Sequence, residues 1–229
     1  MSKHPTAPII TQLHTKDMNE KQRQHDAEAN RVIYTGLLTY GRGRILRNFA
    51  RDSCIASTRV ALLVLHRFGI RAVAMPCKVK VFNPMYWKRI REGVSDISKH
   101  LPGEWSVGIG YGYGPTQPGR MAFNGHLVAV TDPSRGVMVD LSIDQISRPN
   151  KGIFFQPLAG TFDGPQFGYE TAGGTLQYDF DPTNTAYQES IYSTGQHSVI
   201  NEIVNDTCND IHERMRTQAA RNGRNNAIA

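Results

Sequence analysis

Long apolar runs are missing from this chain of 229 residues. No segment approaches the roughly 18 consecutive apolar residues that a membrane-spanning helix needs, and the N-terminal stretch lacks the apolar region of a secretory signal. We therefore expect a cytoplasmic protein with no membrane partner. Hydrophobic residues make up 39% of the chain and charged residues 20%, a composition that predicts a globular protein with a core of its own.

Cysteine is also scarce, since only Cys54, Cys77 and Cys208 are present and no pair has the C-x-x-C spacing. The sequence therefore predicts neither a disulfide framework nor a zinc knuckle, and we expect no metal and no cofactor. Phosphate-binding loops are missing as well. The glycine-rich stretch 105–114 has no P-loop lysine and carries Tyr113 where a dinucleotide-binding loop has its third glycine, so it predicts a strand instead.

Acidic residues are in the minority, which gives a net charge of +6 and an isoelectric point of about 9.3. The segment 78–91 contains no acid, and we refer to it as the basic segment. It carries five cations: Lys78, Lys80, Lys88, Arg89 and Arg91. Such a segment can contact the phosphates of a nucleic acid, for which we expect only weak binding, or it can be an ordinary solvated surface.

The predicted elements are arranged around one helix, which we expect over residues 52–69. Asp52 or Ser53 can cap its first turn, and Gly69 suits the left-handed residue that ends many helices. The Leu, Val and Ala between them predict a largely buried helix. Cys54 lies in the first turn, where the helix dipole and unpaired N–H groups favour a thiolate, the nucleophilic form of cysteine. A buried structural cysteine is the alternative interpretation.

Alternating apolar residues over 73–81 predict a strand after this helix. Pro76 places that strand at the edge of a sheet, or bulges it there, because proline cannot donate to a neighbouring strand. Cys77 falls on the apolar side of the strand, which favours a structural role for this cysteine.

Two further strands, 125–131 and 137–143, are joined by the turn 132–136 and predict a β-hairpin. With that five-residue turn, His126 lies opposite Ser142, and Asp140 becomes its diagonal neighbour on the same face. A three-residue turn would put Asp140 directly opposite His126, whereas an even-numbered turn would send the two to opposite faces. Asp144 lies four residues after Asp140 and therefore points to the same face of the strand. It is the fallback acceptor for His126 if the second strand is shifted in register.

The other segments predict structure around this core. Residues 17–40 have a helical pattern that 41–44 interrupt, and 184–221 predict a helix with an apolar stripe. Residues 145–182 read as irregular and rich in aromatics, and we expect them to pack on the sheet or to wall the active-site cleft. We divide the chain into a flexible arm (1–16), a single domain (17–221) and a polar tail (222–229).

Cys54, His126 and Asp140 together form a candidate catalytic triad. A cysteine nucleophile needs a base to take its proton, and the base needs an acceptor that fixes its tautomer. A histidine and an aspartate inside apolar strands are costly to bury unless they pair with each other. His66 does not compete for the role of base, because it lies twelve residues after Cys54 and about 120° around the helix axis.

These residues resemble the transglutaminase-like branch of the papain-like cysteine hydrolases, which includes the arylamine N-acetyltransferases. The resemblance covers roughly residues 50–145 and rests on these elements: Cys54 at a helix start, Ser57 and Thr58 one turn later, Leu62 to Leu65, Gly69-Ile70-Arg71-Ala72, His126 and Asp140. Three features depart from the family pattern. Arg71 replaces a proline, no aromatic residue follows His126, and the Arg-Gly-Gly before the acetyltransferase cysteine is missing, which argues against acetyl-CoA as the donor.

The resemblance implies an α+β fold in which the helix that carries the cysteine packs on an antiparallel sheet, with helices before and after it. It implies acyl transfer through a thioester on Cys54, and we expect hydrolysis of a peptide, protein or small amide substrate. Transfer to an amine, as in transglutaminases or N-acetyltransferases, is one alternative. A catalytically silent basic binding protein is the other.

Overall fold

The structure is a computed structural model that describes residues 20–49, 53–93, 99–110, 125–149, 152–171, 174–188, 191 and 197–226. These residues form an α+β fold built on an antiparallel sheet of seven strands. The α-helices are α1 (Glu20–Gly36), α2 (Arg42–Asn48), α3 (Cys54–Arg67), α4 (Pro84–Arg91) and α5 (His197–Asn226). The strands are β1 (Val73–Phe82), β2 (Ser106–Ile109), β3 (His126–Val130), β4 (Arg135–Asp140), β5 (Leu158–Asp163), β6 (Gln166–Thr171) and β7 (Gly174–Phe180). A π-helical turn (Leu37–Gly41) joins α1 to α2, and a 3₁₀ helix (Ile143–Ile146) follows β4.

The sheet curls until its two outer strands meet. The strand order is β5-β4-β3-β1-β7-β6, and β2 pairs with β1 on the side of β1 that β3 also occupies. The Phe167 ring on β6 lies so close to Gly160 on β5 that a Cβ atom at Gly160 would come within 2.6 Å of it. Gly160 has no side chain and therefore permits this close approach. Because the sheet is curled, it has a concave face and a convex face.

Apolar clusters cover both faces of the sheet. On the convex face, side chains such as Ala129 pack against the buried sides of α1, α3 and α5. The concave face holds the side chains that alternate with them, including Val128 and Met138. Because neighbouring residues of a strand point to opposite faces, His126 and Asp140 belong to the concave face.

Helix α3 begins and ends close to the predicted residues. Gly69 has φ +74°, and the Ile70 N–H donates to Leu65 O at 2.9 Å, which is the closing bond of a Schellman motif. Ser53 is the N-cap residue, but its side chain makes no capping hydrogen bond, so side-chain capping by Ser53 is not seen. Asp52, the other predicted cap, lies outside the described residues.

Strand β1 lies in the interior of the sheet, so the prediction of an edge strand is wrong. The apolar alternation is confirmed, since Met75, Cys77, Val79 and Val81 all belong to the concave core. Pro76 is tolerated because its backbone nitrogen points toward β7 at a position just beyond the end of that strand. Pairing with β7 starts at Cys77, and the Pro76 carbonyl accepts only the Asp181 N–H, at 2.9 Å. The missing N–H therefore falls at the end of the β1–β7 ladder and not within it.

Residues 145–182 are not irregular, because they contain β5, β6 and β7. The expectation that they pack on the sheet understates their role, since they make up three of its strands. Leu176, Tyr178 and Phe180 alternate with polar residues, and this period of two is the signal of a strand. The Gly and Pro residues at the intervening turns obscured it.

The N-terminal helix extends beyond its prediction, whereas the predicted start of the C-terminal helix at 184 is wrong, because residues 184–187 are not helical and α5 begins at His197. Gly41 does not interrupt the first helix, since it has φ −62° and belongs to the π-helical turn that leads into α2. Helix α5 continues to Asn226, across the predicted start of the polar tail at 222. The predicted arm, 1–16, lies outside the described residues.

Candidate active site

Cys54 is the first residue of α3, and contacts between α3 and β3 hold it beside the start of that strand. The first N–H bonded back within the helix is that of Ser57, to Ser53 O at 2.9 Å, so the N–H groups of 54–56 have no acceptor inside the helix. Thr58 Oγ1 donates to Leu127 O at 2.7 Å, which ties the second turn of α3 to the residue after His126. Cys54 is 8% exposed, so its thiol lies at the positive end of the helix with little access to solvent.

The β3–β4 hairpin has the predicted register. Val130 pairs with Met138, and the Thr131 N–H donates to Val137 O at 3.0 Å, which leaves 132–136 as the turn. This register makes Asp140 the diagonal neighbour of His126. His126 Nε2 lies 2.7 Å from Asp140 Oδ2, and both residues are buried. The predicted pairing of these two residues on one face is confirmed.

Hydrogen-bond donors surround the Asp140 carboxylate. Tyr178 Oη donates to Oδ2 at 2.9 Å, and Ser142 donates to Oδ1 through its N–H at 2.8 Å and its hydroxyl at 3.3 Å. Burial raises the pKa of Asp140, but the charge and hydrogen bond of His126, joined by the donors from Ser142 and Tyr178, outweigh burial and hold that pKa below its ordinary value. Asp140 is therefore ionised at neutral pH.

The surroundings of His126 favour its charged form. Burial lowers the pKa of the imidazole, but the Asp140 carboxylate and then Cys54 more than offset it and raise the pKa to about 10. The contribution of Cys54 places its side chain near the ring. Because Asp140 engages Nε2, a proton exchanged between the ring and Cys54 passes through Nδ1. An imidazolium in this position stabilises a thiolate.

Gln145 is a further neighbour of the histidine ring. It lies on the 3₁₀ helix, and its Nε2 forms a hydrogen bond with His126 Nδ1. Asp144, the fallback acceptor, forms a salt bridge of 2.6 Å with the buried Arg42. Asp140 is thus the carboxylate that holds His126, and Asp144 holds Arg42.

Sequence reasoning missed two residues of this site, Tyr178 and Gln145. Tyr178 lies on β7, in the segment predicted to be irregular, and its period-two pattern could have identified the strand but not its contact with Asp140. Gln145 carries no local signal, because a glutamine near the end of a hairpin is most often a solvated residue.

The other two cysteines are buried away from a comparable partner. Cys77 lies in the concave core and donates its S–H to His126 O at 3.5 Å. Burial, followed by the nearby charges of Asp140, Cys54 and Asp179, raises the pKa of the Cys77 thiol well above its ordinary value. Burial also raises the pKa of Cys208, although Arg67 opposes it. Both residues are therefore internal controls for the reactivity of Cys54.

Iodoacetamide is expected to modify Cys54 well before Cys77 or Cys208 in the folded protein at about pH 6, because only Cys54 has an imidazolium beside it. Site-resolved mass spectrometry over a time course gives the three rates. The control is the protein unfolded in guanidinium chloride, in which the three cysteines should react alike. If Cys54 in the folded protein reacts no faster than the other two, it is not an activated nucleophile.

The basic segment is largely paired with acids. Arg89 binds both carboxylate oxygens of Glu104, at 2.7 and 2.9 Å. Arg91 lies 3.8 Å from Glu170, and Lys88 lies 3.8 Å from Glu92. These ion pairs reduce the positive potential that a nucleic-acid phosphate would meet, so the segment resembles a structural surface more than a phosphate-binding one.

Among the described residues, no three His, Cys, Asp or Glu side chains are grouped as a metal ion would require. The helices in the described part of the chain also include none with both the length and the apolar character needed to cross a membrane.

No protein-family model, no curated protein and no solved structure matches this chain. The geometry of Cys54, His126 and Asp140 is therefore the basis for a functional conclusion.

Proposed function

We propose that this protein is a cysteine-dependent acyl-transfer enzyme that uses a Cys54–His126–Asp140 triad and hydrolyses an amide, peptide or isopeptide bond. One observation carries the proposal. His126 Nε2 lies 2.7 Å from Asp140 Oδ2, and the Cys54 side chain lies near the same ring, where it helps to raise the pKa of the imidazole. A purely structural His–Asp pair needs no cysteine at a helix N-terminus, and this third residue supplies the nucleophile.

In the acylation step, Cys54 is the nucleophile and His126 is the general acid. The Cys54 thiolate attacks the substrate carbonyl carbon, and the C=O electron pair moves to oxygen. The carbonyl re-forms as the C–N bond breaks, and His126 Nδ1–H gives its proton to the leaving amine. The product is a thioester on Cys54 beside a neutral His126, whose Nε2–H remains bonded to Asp140.

Hydrolysis completes the cycle with the same residues. Neutral His126 Nδ1 takes a proton from water as the water oxygen attacks the thioester carbonyl. The C–S bond breaks, the acid leaves, and the thiolate–imidazolium pair returns. The N–H groups at the start of α3 that have no acceptor inside the helix, including that of Cys54, are suited to bind the negative oxygen formed in both steps.

The resemblance to the transglutaminase-like branch of the papain-like cysteine hydrolases fits this mechanism, and we propose membership of that superfamily. The supporting arrangement is a cysteine-bearing helix on an antiparallel sheet, with His126 and Asp140 on neighbouring strands. We favour water as acceptor because transfer to an amine needs a second binding site. The substrate is proposed as a peptide, protein or small amide in the cytoplasm.

A covalent intermediate tests the proposal directly. The protein is mixed with a panel of acyl donors, such as p-nitrophenyl esters and peptide thioesters, and its intact mass is followed. We expect one acyl group per chain, located on Cys54 by peptide mapping and released by hydroxylamine, which cleaves thioesters.

The controls for this experiment are two cysteine variants. Cys54→Ala should gain no acyl group, whereas Cys208→Ala, which removes a buried thiol far from the site, should be acylated like the wild type. Acylation of Cys77 or Cys208, or no acylation with any donor, would contradict the mechanism.

A further inference from the structure

We propose that Gln145 is a positioning residue whose side-chain amide follows the proton on His126 Nδ1. The amide accepts a hydrogen bond when the ring is charged and donates one when the ring is neutral. This inference rests on the proposed function, because it assigns Gln145 a part in the cycle of His126.

The first observation is that Gln145 occupies Nδ1. Its amide reaches this nitrogen from the 3₁₀ helix, and Cys54 lies near the same ring. Asp140 occupies Nε2 on the other side of the ring. Gln145 therefore contacts the nitrogen through which the proposed reaction moves its proton.

The second observation concerns the direction of that contact. Gln145 presents Nε2, a donor, to Nδ1, and a donor fits the neutral ring. The charged ring, which the pKa of about 10 favours at neutral pH, has a proton on Nδ1 and needs an acceptor there. A rotation of 180° about the last side-chain bond exchanges the amide nitrogen and oxygen. A carboxamide can therefore serve both states of the ring from one place.

This exchange matters most in the acyl-enzyme. Once Cys54 is acylated, its sulfur has neither a charge nor a proton to offer Nδ1. Gln145 then supplies the remaining hydrogen bond at that nitrogen and keeps the neutral ring in the plane set by Asp140. The attacking water replaces the amide at Nδ1, which exchanges one neutral hydrogen bond for another at little net cost.

A buried brace fixes Gln145 relative to the nucleophile. Arg42 donates to Ser57 Oγ at 3.3 Å, one turn after Cys54 on α3, and forms its salt bridge of 2.6 Å with Asp144, the residue before Gln145. The 3₁₀ helix and the start of α3 therefore share one cation. Arg148 adds a bond of 3.0 Å to the Gln145 carbonyl, so the backbone of Gln145 is held at two points.

Gln145→Glu separates the two roles of the amide. A carboxylate can accept a proton from the charged ring but cannot donate to the neutral one, and its charge favours the imidazolium. Acylation, which starts from the charged ring, should proceed near the wild-type rate. Deacylation needs a neutral ring as base and should slow by at least about tenfold. A residue that only supports the fold would change both rates together.

The direct measurement is a ¹⁵N NMR titration of His126 in protein carrying a carboxamidomethyl group on Cys54, which imitates the acylated sulfur. The midpoint of His126 in Gln145→Glu should lie about one pH unit or more above that of the unsubstituted chain. Gln166→Glu, which changes an exposed glutamine on β6, should leave the midpoint in place. Equal midpoints in the unsubstituted chain and in Gln145→Glu would overturn the proposal.

A second measurement needs no variant. The side-chain amide signals of Gln145 in the alkylated protein should shift with the same midpoint as the His126 ring, and signals that stay constant through the ring titration would overturn the proposal. The two proposals can fail separately. If the Gln145 and His126 signals titrate together but no acyl-enzyme forms, only the acyl-transfer function is contradicted. If the acyl-enzyme forms normally but the two signals do not titrate together, only the role of Gln145 is contradicted.

Discussion

Replacing Asp140 with asparagine is expected to slow acylation of Cys54 by about 10⁴ while the protein remains folded. The asparagine amide has the shape of the carboxylate, so the packing around it is preserved. The loss comes instead from the tautomer of His126. It is measured as the single-turnover acylation rate with the best donor of the panel.

The hydrogen bonds of Asp140 determine which way the asparagine turns. The Ser142 backbone N–H, which donates to Oδ1 at 2.8 Å, cannot reverse, so the amide nitrogen is disfavoured at that position. It takes the place of Oδ2 instead, where the Tyr178 hydroxyl can rotate to accept. His126 Nε2 must then accept as well, which moves the ring proton to Nδ1, facing Cys54. A neutral ring in this tautomer cannot take the thiol proton.

The matched control is Asp163→Asn, which removes an exposed carboxylate from β5 and should leave acylation unchanged. Circular dichroism and thermal unfolding verify that both variants are folded. If Asp140→Asn retains most of the wild-type rate, the carboxylate does not orient the base, and the triad proposal loses its third member.

The pairing of His126 with Asp140 could be predicted from the sequence because its cause is local. The turn 132–136 is closed by Asp132, whose Oδ1 accepts the N–H groups of Ser134 at 2.8 Å and Arg135 at 3.2 Å. Such a turn is encoded within a few residues, and its length determines which side chains share a face. The end of α3 at Gly69 could be predicted for a similar reason.

Contacts between distant segments could not be predicted. Tyr178 reaches Asp140 because β7 pairs with β6 on one side and with β1, which is distant in the chain, on the other. No local pattern specifies which of several strands becomes the neighbour, and Pro76 pointed to the wrong place for β1. Gln145 belongs to the site only because the Arg42 brace and the 3₁₀ helix direct it there. The pairing of His126 with Asp140 was thus readable from local patterns, and the groups around this pair were not.

The charge on His126 should also appear in the stability of the protein. In the Cys54→Ala variant, the free energy of unfolding is expected to fall by about 2 kcal/mol as the pH rises from about 7 to about 8.5. Cys54 is replaced so that the His126–Asp140 pair is measured without a thiol beside it. Urea unfolding at each pH provides the measurement.

The sign follows from proton counting. Asp140 raises the pKa of His126 in the folded protein, whereas an unfolded histidine titrates near pH 6.5. Between these values the folded state holds one more proton than the unfolded state, so stability is fully present below about pH 6.5 and is lost as the pH rises, by up to about 1.4 kcal/mol per unit. The range stops near pH 8.5 because unfolded cysteines then begin to titrate, and burial raises the pKa of Cys77 and Cys208 in the folded protein.

Adding Asp140→Asn to Cys54→Ala isolates the contribution of His126. Both variants contain the same remaining histidines and cysteines, so the difference between their stabilities cancels every group except the His126–Asp140 pair. Without the carboxylate, burial acts alone on the ring and keeps it neutral, and the slope between pH 7 and 8.5 should disappear. If both variants show the same slope, His126 is neutral in the folded protein. Acylation would then have to begin with proton transfer from the thiol to a neutral base, not from a preformed thiolate–imidazolium pair.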